Sequence, residues 1–218
     1  MADDNVKPAA QNVFAEMIER LAKEMVAPVK TPNVTVAAVE EMAKKMISVG
    51  YEMTQGSLSI LADYLKGYNL WLCGNVGVGK TFFFDCISRI RREKGLYPII
   101  KLSMIETMAW KMDDARDWVE EAEDRDVLID DVGTEPEMSS YGMKAELFPY
   151  LLEKRMQNTR RRTHMTSNLG SRDILKRYDV RVSDRFVEFF KMEKIDEKKS
   201  RRHLKPWKAA KIPSEGVL

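Results

Sequence analysis

Residues Asn69–Thr81 read NLWLCGNVGVGKT. A short apolar run leads into glycines, then into Lys80 and Thr81, and the apolar run Phe82–Phe84 follows. This order indicates a strand, a tight loop and a helix, and the loop fits the P-loop pattern G-x-x-x-x-G-K-[ST]. The stretch therefore predicts a nucleotide-binding loop; the plainer alternative is a glycine-rich turn between a strand and a helix.

The residue types in this loop suit a triphosphate. Glycines let backbone N–H groups point at phosphate oxygens without side chains in the way. We expect Lys80 to place its charge on the β and γ phosphates of a bound triphosphate and Thr81 to offer its hydroxyl to Mg²⁺. The helix start at Lys80 adds the positive end of its dipole. The predicted nucleotide-binding residues are Gly74, Asn75, Val76, Gly77, Val78, Gly79, Lys80 and Thr81.

Length and composition set the broad class. The chain has 218 residues and a net charge of +2, which indicates one domain with at most a small appendage. Cys73 and Cys86 form no C-x-x-C pair, which argues against a disulfide framework or a structural zinc. The acidic N-terminus has no apolar h-region, and no apolar run approaches membrane-spanning length. We therefore expect a cytoplasmic protein with no membrane partner.

Apolar runs alternate with helical patterns along most of the chain. We predict strands over Leu70–Cys73, Tyr97–Leu102, Val127–Ile129 and Thr163–Thr166, and a last strand within Phe189–Ile195. Three consecutive apolar residues before Asp130 indicate a strand buried on both faces. The alternation predicts an α/β fold with a mostly parallel sheet.

Two local patterns predict helix starts. Ser103 and Glu106 have the spacing of a capping box, so we expect a helix to begin there. A long helix is expected over about Ser140 to Gln157, with a kink or break at Pro149.

The N-terminal part has two helical patterns. The first, in residues 11–27, carries a methionine-rich apolar stripe that would either pack on the domain that follows or dock a partner protein. The second ends at Gly50. We divide the chain into an N-terminal helical extension (1–55), an ATPase domain (56–195) and a basic C-terminal tail (196–218).

Polar residues at the ends of two predicted strands complete a candidate catalytic set. Asp130 ends a buried strand, where its carboxylate could reach the Mg²⁺ held by Thr81. Asp131 follows directly and could orient or deprotonate the attacking water. Asn168 ends a later strand, at the edge where α/β proteins bind ligands, and could hold the γ-phosphate. The alternatives are that the carboxylates cap the next turn and that Asn168 is only a turn residue.

These motifs together resemble the AAA+ ATPases. More narrowly, the segments 72–81 and 128–136, with RTHMTSNL at Arg162–Leu169 and RVSDRF at Arg181–Phe186, resemble the DnaC family of bacterial replicative helicase loaders. The resemblance covers about residues 56–202 and is specific to the DnaC/IstB-like branch. It implies a P-loop NTPase of AAA+ type, with a parallel five-stranded sheet flanked by helices. The small N-terminal helical extension is not recognisably shared with the family. The short chain would also suit a phage or mobile-element version.

The resemblance also implies partners and a second catalytic group. Arg185 stands where this family places an arginine that acts on the ATP of the neighbouring subunit, with Arg181 one turn before it. The expected partners are a hexameric replicative helicase, single-stranded DNA and further copies of the chain, joined through ATP interfaces. The alternative within the branch is an IstB-like helper of DNA transposition. Two departures are Asp131, where many AAA+ proteins have Glu, and an expected absence of a full lid domain.

Basic residues crowd the C-terminal tail around Trp207, and Arg160–Arg162 form a second basic group. Basic residues with an interleaved aromatic suit single-stranded nucleic acid through phosphate attraction and base stacking. The alternative is a solvated charged tail. The tail residues concerned are Lys191, Lys194, Lys198, Lys199, Arg201, Arg202, Lys205, Lys208 and Lys211.

Overall fold

The structure is a computed structural model that describes residues 34–110, 112–135, 138–140, 143–145, 147–157, 161–178 and 180–195. The strands are β1 Leu70–Cys73, β2 Ile100–Ser103, β3 Val127–Val132, β4 Met138–Ser140, β5 Met143–Ala145, β6 Thr163–Ser167 and β7 Lys191–Lys194. The helices are α1 Val36–Ser48, α2 Gln55–Leu65, α3 Lys80–Glu93, α4 Met112–Glu121, α5 Leu147–Gln157, α6 Ser171–Arg177 and α7 Val180–Phe189, with a 3-10 helix at Glu106–Ala109.

Five strands form one parallel sheet in the order β2-β3-β6-β1-β7. The predicted α/β fold with a parallel five-stranded sheet is therefore confirmed. β4 and β5 pair separately as an antiparallel hairpin. Because all five strands run the same way, their carboxyl ends lie at one edge, which brings the ends of β1, β3 and β6 together.

Helices cover both faces of the sheet. The side chains of β1 alternate: Leu70 and Leu72 belong to one buried apolar cluster, and Trp71 and Cys73 to the other. This period of two is the pattern of a strand buried on both faces. It explains why the strands carry continuous apolar runs.

Helix α1 shares its core with the residues that follow it. Thr35 caps the helix by accepting a hydrogen bond from the N–H of Ala38, and Val39, Ala43 and Met46 are fully buried in the cluster that also holds Phe83. The division at residue 55 remains a prediction, but Val36–Ser48 packs as part of the sheet's apolar core. The docking helix predicted for residues 11–27 and the basic tail predicted for 196–218 lie outside the described residues.

Two local predictions were wrong. Ser103 is the last residue of β2, and the 3-10 helix that begins at Glu106 has Ile105 at its N-cap without a side-chain hydrogen bond. The helix predicted from Ser140 begins at Leu147, after the β4–β5 hairpin. Pro149 therefore falls in the first turn of α5, where its missing N–H would make no bond within the helix, so it need not kink the helix.

A buried charge cluster lies where β3 and β6 begin. Arg91 Nη1 and Arg162 Nη2 lie 2.5 and 2.8 Å from Asp126 Oδ2, and the guanidinium of Arg162 lies 4.3 Å from the ring centre of Tyr64. Burial alone would raise the pKa of Asp126, but the charge and hydrogen bonds of Arg162 and the hydrogen bond from Arg91 hold it well below its usual range. The cluster fixes the strand starts on the side away from the carboxyl edge.

The buried side chain of His164 should make the stability of the folded protein depend on pH. Its Nδ1 accepts from the N–H of Leu70 at 3.2 Å. Burial, followed by the charge of Arg162, lowers the pKa of His164 from 6.5 to about 3. At His164 the unfolded chain takes up a proton below pH 6.5 and the folded chain does not. We therefore expect this one residue to lower the free energy of unfolding by about 1.4 kcal/mol per pH unit between pH 6 and 4.

Denaturant unfolding at pH 7 and pH 5 would measure this effect. His164→Asn keeps an acceptor for the Leu70 N–H and cannot titrate. We expect the stability loss over this interval to be about 2 kcal/mol smaller in the variant than in the unmodified chain. Equal losses in the two proteins would show that His164 is not the group responsible.

Candidate nucleotide site

The loop after β1 has backbone conformations that glycine adopts more readily than other residues. Gly74, Gly77 and Gly79 all have positive φ angles, of 146°, 83° and 96°. At Gly74 a Cβ would lie 2.6 Å from the carbonyl oxygen of Ile195, so a side chain there would collide with the backbone that follows β7. Gly79 is the N-cap of α3 and offers no capping side chain. A helix start without a side-chain cap is a common place for an anion such as a phosphate group to bind.

Lys80 lies across the loop and reaches the end of β6. Its side chain is buried, with 5% of the residue exposed. Nζ donates to the carbonyl oxygens of Gly74 at 2.8 Å and Asn75 at 2.9 Å, and to Oδ1 of Asn168 at 2.8 Å. Two residues predicted to contact the γ-phosphate, Lys80 and Asn168, are thus in direct contact.

Thr81 and Asp130 are also brought together. Thr81 Oγ1 donates to Asp130 Oδ1 at 2.8 Å, and the hydroxyl of Thr166 donates to the same oxygen. The adjacent hydroxyl and carboxylate are hard oxygen donors of the kind that Mg²⁺ binds. No group of three His, Cys, Asp or Glu side chains suited to a metal occurs among the described residues. This donor set fits a magnesium ion, which Thr81 and Asp130 would hold together with phosphate oxygens and water.

Asp131 lies in a distorted part of β3. The pairing of β3 with β6 shifts register between Ile129 and Val132, and Asp131 has a φ of 58°, the only positive φ of a non-glycine residue in the described ranges. Its N–H donates to Thr166 Oγ1 at 3.0 Å, and its carbonyl accepts from the backbone N–H of Thr134 at 3.1 Å. Aspartate tolerates this left-handed conformation better than most residues, and such local strain often marks a functional site.

Arg185 lies on the surface of its own chain. Its side chain is 44% exposed, and Nη1 is 3.6 Å from Glu153 Oε2 on α5. Within the described residues it makes no hydrogen bond or ion pair with Lys80, Asp130 or Asn168. The side chain of Arg181 lies outside the described part of the chain. The structure therefore groups Lys80, Thr81, Asp130 and Asn168, while Arg185 faces solvent beside Glu153.

Two polar residues at this edge were missed in the sequence analysis. Thr166 accepts from the Asp131 N–H and donates to Asp130, so it fixes both aspartates. Its position two residues before Asn168 was the available signal, because alternate residues of a strand share a face. Glu135 is buried after the turn that follows β3, and nothing in its local sequence identifies its partners.

No family model matches the chain, and no curated protein matches it by sequence. Solved structures do share its fold. The crystal structure of the DnaC helicase loader has a TM-score of 0.54 at 18% identity, and the match covers 72% of this chain and 99% of that chain. The chain has the fold of the AAA+ P-loop NTPases.

Two DnaA structures share this AAA+ fold over part of their length. AMPPCP-bound DnaA from Aquifex aeolicus has a TM-score of 0.50 at 17% identity, covering 69% of this chain and 50% of that chain. The replication initiator DnaA bound to AMPPCP and single-stranded DNA has a TM-score of 0.51 at 16% identity, covering 72% of this chain and 52% of that chain. The matched region of this chain thus corresponds to about half of those longer proteins.

None of the helices in the described ranges combines the length and the apolar character needed to cross a bilayer.

Proposed function

We propose that the chain binds and hydrolyses ATP and uses this cycle to load a hexameric replicative helicase onto single-stranded DNA. One observation carries the first half: Lys80 meets Asn168 and Thr81 meets Asp130 at the carboxyl edge of a parallel sheet. A cation, an amide and a hydroxyl–carboxylate pair converge where α/β folds bind ligands. This arrangement suits a triphosphate and Mg²⁺ better than it suits a turn without a ligand.

Each side chain then has a role set by its chemistry. Lys80 and the loop N–H groups bind the β and γ phosphates, and Thr81 and Asp130 hold Mg²⁺, which would neutralise charge on the phosphates. Asp131 orients and deprotonates the attacking water, and the amide of Asn168 holds the γ-phosphate or that water. Lys80, which would bind the phosphates, is in contact with Asn168, which would sense the γ-phosphate. Binding or loss of the γ-phosphate could therefore change the positions of both side chains.

Arg185 is suited to a partner outside its own chain. Its guanidinium is exposed and is not bonded to the other site residues. An arginine supplied by a neighbouring subunit stabilises the charge that develops on the transferring phosphoryl group. In this proposal ATP lies between two copies of the chain, binding favours the assembly that holds DNA, and hydrolysis releases it.

The loading step rests on likeness to known proteins. The match to the DnaC helicase loader spans 99% of that chain, and a DnaA of the same fold has been solved with a nucleotide analogue and single-stranded DNA. The helix predicted for residues 11–27 is the candidate helicase contact, and the basic tail is a candidate DNA contact. Cytoplasmic location remains a prediction.

A reconstitution would test the loading step. The purified host helicase hexamer is incubated with a circular single-stranded DNA, which has no end to thread. We expect the helicase to stay on the circle only when the chain and ATP are both present. An IstB-like transposition helper would instead bind a transposase and leave the helicase in solution. No retention with the active chain would defeat the loader proposal and leave the ATPase proposal standing.

A P-loop kinase is a rival of a different class. Its phosphoryl acceptor would be a small molecule or nucleotide, and it would need neither Asn168 at the strand end nor an exposed arginine helix. Turnover stimulated by single-stranded DNA favours the ATPase; turnover stimulated by a small acceptor, with a phosphorylated product, favours the kinase.

Lys80→Ala tests the nucleotide site. Loss of a charge-assisted contact of about 1.5–3 kcal/mol should weaken ATP binding by roughly 10- to 100-fold, measured with a fluorescent ATP analogue. Lys101→Ala is the matched control, because Lys101 is an exposed lysine paired with Asp85 at 3.3 Å. Equal affinities in the two variants would mean that Lys80 does not contact the nucleotide.

A further inference from the structure

Glu135 is a buried carboxylate that the proposed reaction does not use. It is 5% exposed. Oε2 accepts from the N–H of Gly133 at 2.8 Å, and Oε1 accepts from the hydroxyl of Tyr178. Arg177 Nε lies 3.7 Å from Oε1. A carboxylate at this depth is stable only when its oxygens are paired and hydrogen-bonded, as they are here.

The contacts of Glu135 join three segments of the site. Besides approaching the Glu135 side chain, Arg177 donates to its backbone carbonyl. On the other side, a Cβ on Gly133 would lie 2.6 Å from Leu169 Cδ1, so the turn packs closely on the residue after Asn168. We call Gly133, Glu135, Leu169, Arg177 and Tyr178 the Glu135 cluster. It connects the turn after Asp131 to the end of β6 and to the end of α6.

The cluster continues to the helix that carries Arg185. Tyr178 is the C-cap of α6, and α7 begins two residues later. Its ring centre lies 5.4 Å from that of Phe148 and 6.0 Å from that of Phe186. Phe186 is buried and directly follows Arg185. A chain of contacts therefore runs from Glu135 through Tyr178 and Phe186 to the backbone of Arg185.

The hydroxyl of Tyr178 stays a donor in this setting. Burial, followed by the charge of Glu135, raises the pKa of Tyr178 well above its ordinary value, although Arg177 opposes the shift. Near neutral pH the Tyr178 hydroxyl therefore keeps the proton that it donates to Glu135.

We propose that Glu135 is a positioning residue: through Tyr178 and Phe186 it fixes the helix of Arg185 relative to the turn that follows Asp130 and Asp131. Each subunit would thereby couple its own hydrolytic carboxylate to the arginine that it presents to its neighbour. The inference rests on the proposed function only for the role of Arg185. The coupling between the turn at residues 133–135 and α7 is argued from the observed contacts alone.

Glu135→Gln tests the inference in the full chain with ATP. Gln keeps the shape and loses the charge. We expect ATP affinity within about two-fold of the unmodified chain and a kcat about 10- to 100-fold lower, since a shift of about 1 Å in a positioned group costs this much. In an Arg185→Ala background the same change should lower kcat by less than about two-fold, because the two residues act in one unit. Full additivity would overturn the proposal.

Amide hydrogen exchange gives a readout that needs no turnover. Glu135→Gln should lower protection both in residues 131–135 and in α7. Glu153→Gln, which removes only the exposed partner of Arg185, should leave the 131–135 turn unchanged. Loss confined to 131–135 would mean that Glu135 stabilises its own turn and does not position α7. An unmodified chain without ATPase activity would defeat the proposed function, and the exchange result would still decide this inference.

Gly133→Ala reaches the same cluster without changing charge. Its matched control is Gly50→Ala, because the two glycines have φ angles of 95° and 94°, and only Gly133 has a neighbour that a Cβ would strike. Of the two variants, we expect only Gly133→Ala to reduce the hydrogen-exchange protection of α7. Equal protection of α7 in the two variants would contradict the coupling.

Discussion

Replacing Arg185 with Ala is expected to lower kcat for ATP hydrolysis by at least about 1,000-fold, while ATP affinity stays within about two-fold. The Arg185 side chain is 44% exposed beside Glu153 and makes no hydrogen bond or ion pair with the described nucleotide-site residues of its own chain. In the proposed function it reaches the ATP of a neighbouring subunit and stabilises the charge that develops on the phosphoryl group in the transition state. Single-turnover hydrolysis measured with an equilibrium ATP titration would separate the two effects.

Arg89→Ala is a close control for this substitution. Arg89 is also a helical arginine beside a glutamate, with Nε 3.0 Å from Glu93 Oε1 and 43% exposure of its side chain. Exposed pairs of this kind contribute about 0–1 kcal/mol to stability, so neither loss should unfold the protein. We expect Arg89→Ala to hydrolyse ATP at the unmodified rate.

Mixed assemblies would show whether Arg185 acts on a neighbour. Lys80→Ala subunits keep their arginine and lack a working loop, and Arg185→Ala subunits have the reverse defect. Mixing two inactive preparations should restore turnover at the interfaces where an intact loop meets an intact arginine. If the mixture stays inactive although the subunits still associate, Arg185 does not serve the adjacent site.

The site residues that the sequence could predict are those marked by short-range spacing. The P-loop is contiguous, Asp130 lies near the carboxyl end of β3 and Asn168 directly follows β6, so a parallel sheet brings them to one edge. The contacts of Lys80 with Asn168 and of Thr81 with Asp130 follow from that rule alone. Local pattern and one topological rule thus suffice to bring these four candidate residues together.

The residues that the sequence could not predict depend on distant partners. Glu135 contacts Arg177 and Tyr178, which lie more than forty residues later in the chain. The spacing of apolar and polar residues within one helix or strand carries no information about such a contact. The left-handed turn at Asp131 arises from a register shift against β6, which only the paired strand specifies. The sequence predicts a helix from Ser140 onward, although Ser140 and β5 form strands, because a short stretch with scattered apolar residues fits either period.

The largest effect within one subunit is expected for Asp131. Asp131→Asn should lower kcat by roughly 100- to 10,000-fold, because an amide cannot accept the proton of the attacking water. The backbone should hold its conformation, since Asn is the other residue that adopts a positive φ readily, and Asp131 has a φ of 58°. ATP should still bind, because the phosphate contacts come from the loop and Lys80.

Asp131→Ala is the informative companion, because it removes the carboxylate and also strains the turn. If the carboxylate acts in the chemistry, the Asn and Ala variants share the same loss of kcat, and only the Ala variant melts at a lower temperature. If the residue matters only for its backbone, the Asn variant hydrolyses ATP normally and the Ala variant alone is impaired. A purely structural role is a specific alternative, because the backbone N–H of Asp131 donates a hydrogen bond to Thr166 whatever its side chain does.

Asp130→Asn separates the two neighbouring carboxylates. Its Oδ1 lies 2.8 Å from the hydroxyl of Thr81, so loss of its charge should weaken Mg²⁺ binding first, and high Mg²⁺ should recover part of the lost rate. Asp131→Asn should show no such recovery, because the missing function is proton acceptance. Unchanged turnover in Asp131→Asn would exclude Asp131 as the base and require another group at this edge to activate the water. Equal recovery in both variants would instead mean that the two aspartates share the metal.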